Sequence, residues 1–128
     1  MINLCPTQCN LCGSKVKYMS NALIYGRRYG SGFCYCCTSC GAYVGTHEPQ
    51  PKKAYGILGN EEMRRWKIKC HALFDACWKG KKQSGKLRDQ LYRKLADQME
   101  IPMHECHFGY FDMAQLKQAY DILKEWRG

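Results

Sequence analysis

Two short knuckles constrain this chain more than anything else in it: Cys9-Asn10-Leu11-Cys12-Gly13 and Cys37-Thr38-Ser39-Cys40-Gly41. Each is a C-x2-C pair followed directly by glycine. Two thiolates at that spacing clasp one face of a tetrahedral zinc ion, and a second such pair closes the other face. The glycine admits the positive φ that turns backbone N–H groups toward the sulfurs. The pairs are separated by 24 residues. The spacing therefore predicts one structural Zn2+ held by Cys9, Cys12, Cys37 and Cys40. Such a site is closed, with no open position for a water or substrate.

The chain has 128 residues and ten cysteines. Its N-terminal third is glycine-rich and too short to build a core unaided, a deficit that metal commonly relieves. A secreted disulfide scaffold would also use many cysteines. Met1 leads straight into polar Asn3 and Cys5 with no leader-like segment, and no apolar run approaches the ~18 residues of a membrane span. Reduced thiols in a cytoplasm are the expectation. Of the other cysteines, Cys34 opens a competing Cys34-x2-Cys37 pair, but Thr38 rather than glycine follows it. Cys70 and Cys77 fall on the apolar face of a predicted helix and read as small core residues.

Residues 1–47 read as a zinc ribbon. Val16-Lys17-Tyr18, Leu23-Ile24-Tyr25, Gly32-Phe33-Cys34-Tyr35 and Ala42-Tyr43-Val44 are short, β-branched or aromatic, and punctuated by glycine or asparagine, so hairpins carrying the knuckles are expected. Residues 48–59, with two prolines and two glycines, read as a linker. From Asn60 the period becomes helical. Asn60 caps a first helix with Glu61 and Glu62 in its opening turn and Met63, Trp66, Cys70, Leu73, Phe74 and Cys77 along one face. Ser84 caps a second, with Leu87, Leu91 and Leu95 inside and Pro102 beyond its end. Asp112 and Gln115 form a capping-box signal for a third, striped by Leu116, Ala119, Tyr120, Leu123 and Trp126. The predicted fold class is α+β: a β-hairpin zinc ribbon, then three helices over 60–128 packed on it as one unit.

The formal charge is +9. Residues 64–94 hold eleven lysines and arginines against Asp75 and Asp89, so that stretch accounts for the whole excess. A concentrated basic region points to an acidic or polyanionic partner, with Arg64, Arg65, Lys67, Lys69, Lys81, Lys82, Lys86 and Arg88 as the candidate contact surface; a merely solvated face is the plain alternative. Gly80 to Lys86 matches G-x4-G-K, but Leu87 stands where a phosphate loop needs Ser or Thr, and a helix rather than a strand precedes it. A basic helix–helix connection is the expectation there. In the ribbon, Tyr18, Tyr25, Tyr29, Phe33, Tyr35 and Tyr43 interleave with Arg27 and Arg28 at a hairpin tip. Such residues stack bases, build a small core or form a protein-binding face.

His71 and Asp75 are i, i+4 neighbours on the first helix, and His107 lies in the loop before the third. Were that loop to fold over the helix, the three would form a buried polar cluster or, alternatively, a second zinc site of N and O ligands. His47 is a further candidate for the cluster or a surface histidine. Catalysis has little support: there is no nucleophile elbow and no pair of carboxylates flanking a recognisable cleft.

Taken together, C-x2-C-G, Cys37 to His47 (C-T-S-C-G-A-Y-V-G-T-H), His71 to Trp78 (H-A-L-F-D-A-C-W) and Cys106 to Asp112 (C-H-F-G-Y-F-D) resemble a family of small zinc-finger-containing proteins of unknown function, encoded mostly by bacteriophages and prophages. The resemblance spans nearly the full chain. It implies zinc at the four knuckle cysteines and a phage setting in the cytoplasm of a bacterial host. In that setting the expected function is non-catalytic: an inhibitor of a host defence nuclease, of anti-CRISPR type, acting by protein–protein contact with an acidic surface. The alternative is a nucleic-acid-binding protein that contacts DNA or RNA phosphates through its basic helices. A weaker one is a metallo-enzyme at His71, Asp75 and His107. No membrane partner is expected.

Overall fold

The structure is a computed structural model and describes residues 2–127. In chain order it contains β1 (Val16–Ser20), a single helical turn α1 (Ala22–Tyr25), β2 (Phe33–Cys37), β3 (Tyr43–Gly45), α2 (Glu61–Ala76), α3 (Ser84–Met99), two 3-10 turns (Met103–Glu105 and Phe108–Tyr110) and α4 (Met113–Arg127). The chain divides into two compact units, with the boundary between Glu62 and Met63. The class is α+β, as the sequence predicts. In place of the expected hairpins, however, the first unit, called the ribbon, is one three-stranded antiparallel sheet beside the four cysteines, and a helical turn and two 3-10 turns add to the three expected helices.

In the first unit, β1, β2 and β3 form an antiparallel sheet in that order. Val16 faces Cys37 and Tyr18 faces Tyr35 across the first pair; Tyr35 faces Val44 across the second. Leu23-Ile24-Tyr25, expected to be a strand, is instead the helical turn α1. The carbonyl of Asn21 accepts from the Ile24 and Tyr25 amides, and Gly26, at φ 81°, closes the turn on the Ala22 carbonyl at 2.7 Å. A left-handed glycine is a common helix stop, and it outweighs the β preference of three apolar residues.

The segment 48–59, expected to be a linker, is part of the ribbon. Ala54 and Leu58 are fully buried in one core with Val16, Tyr35, Val44, Ala42, Cys9 and Cys37. Its backbone is tied down as well: Ala54 donates to Leu4, Tyr55 to Gly45, and Tyr43 and Gly59 exchange two hydrogen bonds of 3.1 and 3.0 Å. The prolines bend the segment back beside β3 without loosening it.

The second unit is helical. Met63, Cys70 and Phe74 of α2 are buried, as are Leu95 of α3 and Leu116, Ala119 and Leu123 of α4. Phe74 meets Tyr92 at 4.4 Å and Phe108 at 5.6 Å between ring centroids, and Trp66 meets Tyr120 edge-on at 5.2 Å. Asp112 and Gln115 form the expected capping box: the Gln115 amide donates to the Asp112 carboxylate at 2.8 Å, and the Asp112 amide donates to the Gln115 side-chain oxygen at 3.1 Å. The cap of α3 differs from expectation. Ser84 is its first helical residue, and Gln83 precedes it in a left-handed conformation at φ 53° with no side-chain cap. α3 ends in Glu100, also left-handed at φ 58°, before Pro102.

Candidate metal centre

Each knuckle is built by the same local device. The Cys9 amide donates to the Ser14 carbonyl and the Cys37 amide to the Ala42 carbonyl, both at 2.8 Å, five residues on. Gly13 and Gly41 sit at φ 79° and 78°, where a side chain would be strained. In consequence, amides turn inward: Leu11 N–H reaches Cys9 Sγ at 3.3 Å, and the Ser39 and Cys40 N–H groups reach Cys37 Sγ at 3.3 and 3.4 Å. The Thr38 amide and hydroxyl both donate to the Lys15 carbonyl, at 3.0 and 2.8 Å, and hold the two knuckles side by side.

The four thiols converge. Their sulfurs all lie within 4.8 Å of one another, with Cys9 to Cys40 at 3.7 Å and Cys12 to Cys37 at 3.4 Å. Zinc–thiolate bonds of about 2.3 Å in a tetrahedron place sulfurs roughly 3.8 Å apart, so the cluster has the dimensions that zinc requires. Cys9 and Cys37 are buried in the ribbon core, while Cys12 and Cys40 are on the exposed side of the cluster. None of the ten cysteines is in a disulfide. Cys12 is held down to about 6 by the Ser14 hydroxyl and amide and then by the Cys37 thiol. Cys37 is lowered mainly by the Cys40 amide. Cys40 accepts from the Ala42 amide but is pushed up to about 12 by burial and by the neighbouring thiols of Cys37, Cys9 and Cys12. Four thiols this close cannot all ionise without a cation among them, and a divalent ion supplies that charge.

Residues 5–126 match a family described as a zinc-finger-containing domain, of unknown function. The chain belongs to that family. No curated protein and no solved structure matches the chain. For this zinc-finger-containing chain, the Cys9–Cys12–Cys37–Cys40 cluster is the structural zinc site, and it is closed on all four sides by protein sulfur.

The remaining candidates fall into place differently. Among the described residues, the four cysteines are the group of metal-binding side chains that the fold brings together. Asp75 accepts from Trp78 Nε1 at 3.1 Å and pairs with Lys79 at 3.6 Å. His71 packs edge-on against Phe108 at 4.7 Å, and His107 lies between Tyr92 and Tyr110. Each imidazole keeps an exposed edge, yet both sit below their ordinary value. Burial of the ring lowers His71 against the pull of Asp75, and burial and then Arg88 lower His107. These rings therefore pack as neutral aromatics. His47 lies against Tyr55 at 4.3 Å in the other unit.

Of the basic candidates, Arg65, Lys69, Lys81, Lys82, Lys86 and Arg88 are exposed, and Arg64 and Lys67 are half-buried. Two of the exposed cations lean on aromatic faces: Lys69 over Trp66 at 4.8 Å, and Arg88 over Tyr92 at 4.9 Å and Trp78 at 5.5 Å. The ribbon aromatics split. Tyr18 stacks on Phe33 at 5.1 Å across the sheet, Tyr35 is in the core, and Tyr25 and Tyr29 form an exposed edge-on pair at 5.9 Å. Sequence reasoning missed Ser14, whose hydroxyl and amide hold Cys12 down, and Asn10, whose side-chain amide ties the first knuckle to the Leu58 backbone. For Ser14 the place just after the first knuckle was the available signal; for Asn10 there was none, since its partner is 48 residues away. No described helix is long and apolar enough to cross a membrane.

Proposed function

We propose that this chain is a non-catalytic binding protein, fastened by zinc, that docks on an anionic macromolecular surface through the exposed cations of its helical unit. One observation carries the reading. Of the eleven lysines and arginines between residues 64 and 94, nine are exposed, and that stretch holds the charge excess of the whole chain. A charge this concentrated raises the encounter rate with an acidic partner and fixes its orientation. The closed sulfur shell of the zinc supports a structural rather than a catalytic role for the metal.

The partner proposed is protein: an acidic surface on a host defence nuclease, of anti-CRISPR type, reached in the bacterial cytoplasm. This rests on the likeness of the knuckles and helical motifs to phage-encoded chains. A second reading takes nucleic acid itself as the partner. It is favoured by the exposed tyrosines and arginines of the ribbon, which offer stacking faces beside cations. Co-purification from a bacterial lysate carrying an active CRISPR nuclease, with and without nuclease digestion, separates the two. A protein that stays bound after digestion supports the inhibitor. Partners that disappear on digestion refute it in favour of nucleic acid.

A further inference from the structure

Away from the zinc, the ribbon carries an open cleft of about 480 Å³ between the 21–33 loop and the 45–55 segment. That is within the few-hundred Å³ range of small-ligand sites. Its walls are Tyr29, Tyr55 and Phe33; Ser31, Thr46 and Glu48 supply its polar groups. We infer that this cleft receives an unstacked base of a single-stranded nucleic acid. The inference deepens the nucleic-acid reading above and rests on it.

The aromatic walls are not core. Tyr29 is 70% exposed and Tyr55 54% exposed, while the ribbon buries Val16, Val44, Ala54 and Leu58 elsewhere. An exposed ring on a loose loop would lose entropy on binding, but the backbone beneath Tyr29 is fixed. Asn21 is 4% exposed and spends both ends of its amide on that one residue: it accepts from the Tyr29 N–H at 3.1 Å and donates to the Tyr29 carbonyl at 2.7 Å. Gly32 donates to the same carbonyl at 2.9 Å. On the facing wall the Tyr55 ring lies beside Gly45 of β3 and packs on His47 at 4.3 Å between centroids. The backbone under Tyr29 and the position of Tyr55 are thus set before any ligand arrives, which lowers the ordering cost of binding.

The polar chemistry selects the ligand. Ser31 and Thr46 share a 2.6 Å hydrogen bond, and Ser31 also donates to the Phe33 carbonyl. Their hydroxyls offer a floor for ring edges. Glu48 is an acceptor suited to an exocyclic amino group. Two tyrosines, a phenylalanine and a carboxylate also resemble a cage for an organic cation. Arg28 argues against that occupant: its guanidinium lies 5.2 Å over the ring of Phe33, a wall residue. With Arg27, Lys52 and Lys53 exposed nearby in sequence, the surroundings favour a ligand that joins a flat ring to negative charge. A base on its phosphate backbone has both.

The test uses the zinc-loaded full chain and a labelled ten-nucleotide single strand carrying 2-aminopurine, read by anisotropy and by quenching of the base. Tyr29→Ala and Tyr55→Ala are each expected to weaken binding about tenfold and to abolish the quenching. Tyr29→Phe is expected to retain both, and zinc content is expected to stay unchanged in all three. Wild-type binding that the alanine variants leave intact would overturn the cleft while leaving the nucleic-acid reading standing. A wild type that binds no strand would overturn both. Alanine variants that lose a digestion-resistant protein partner, but not the oligonucleotide, would show the cleft to be a protein pocket and overturn the inference.

Discussion

Asn10 lies inside the first knuckle, yet its amide reaches 48 positions along the chain. It accepts from the Leu58 N–H at 2.9 Å and donates to the Leu58 carbonyl at 3.0 Å. The knuckle is thereby joined to the segment whose Ala54 and Leu58 complete the ribbon core. Asn10→Ala is expected to keep the zinc and to lower ribbon stability by about 1–3 kcal/mol, as two hydrogen bonds and their backbone groups go unmet. Chemical denaturation with zinc quantified in parallel checks this. Cys12→Ser is expected to behave differently: a ligand is lost, and structural zinc is folding free energy for a unit this small, so the variant should lose both metal and near-UV dichroism. Loss of zinc in the asparagine variant would mean that Asn10 supports the metal rather than the core. The ligands were legible in the sequence because thiols and glycine repeat at fixed local spacing. Asn10 was not, because nothing local marks a partner 48 residues away.

Among the elements, the long helices were the most legible. Their apolar stripes recur at helical spacing, and the capping box of α4 is a local motif with local partners. Asp112→Ala is expected to cost about 1 kcal/mol. In a unit of this size that lowers the melting temperature by roughly 4–8 °C, as calorimetry would show. α1 was misread because three apolar residues in a row carry no period, and Asn21 and Gly26 at its ends decide the conformation. The 48–59 segment was misread for a related reason. Its apolar residues Ala54, Ile57 and Leu58 are scattered among prolines and glycines, so the sequence shows the bends but not the strand they bring the segment beside. Cys70 was read correctly as a core residue, whereas Cys77 falls just past the end of α2 and is only half-buried. Cys70 is fully buried, its thiol facing the Leu116 carbonyl at 3.4 Å and raised to about 11 by burial, and Cys77 faces the Leu73 carbonyl.

At the scale of the whole molecule, two units divide the work: one is fastened by metal, the other carries the charge. If nucleic acid is the partner, reversing Lys81, Lys82 and Lys86, all exposed in the α2–α3 connection and the first turn of α3, is expected to weaken its binding and to reduce the slope of log affinity against log salt by about 2–3, one unit for each phosphate neutralised. Unchanged affinity and slope would remove that connection from the binding surface. The zinc content is expected to be unaffected, because the substitutions fall outside the metal-bound unit. The central claim concerns the metal, and X-ray absorption at the zinc edge of the purified full chain tests it most directly. One zinc per chain with four sulfurs at about 2.3 Å is the expected result. A nitrogen or oxygen in the first coordination sphere, or a metal-free chain with an intact ribbon, would contradict the assignment.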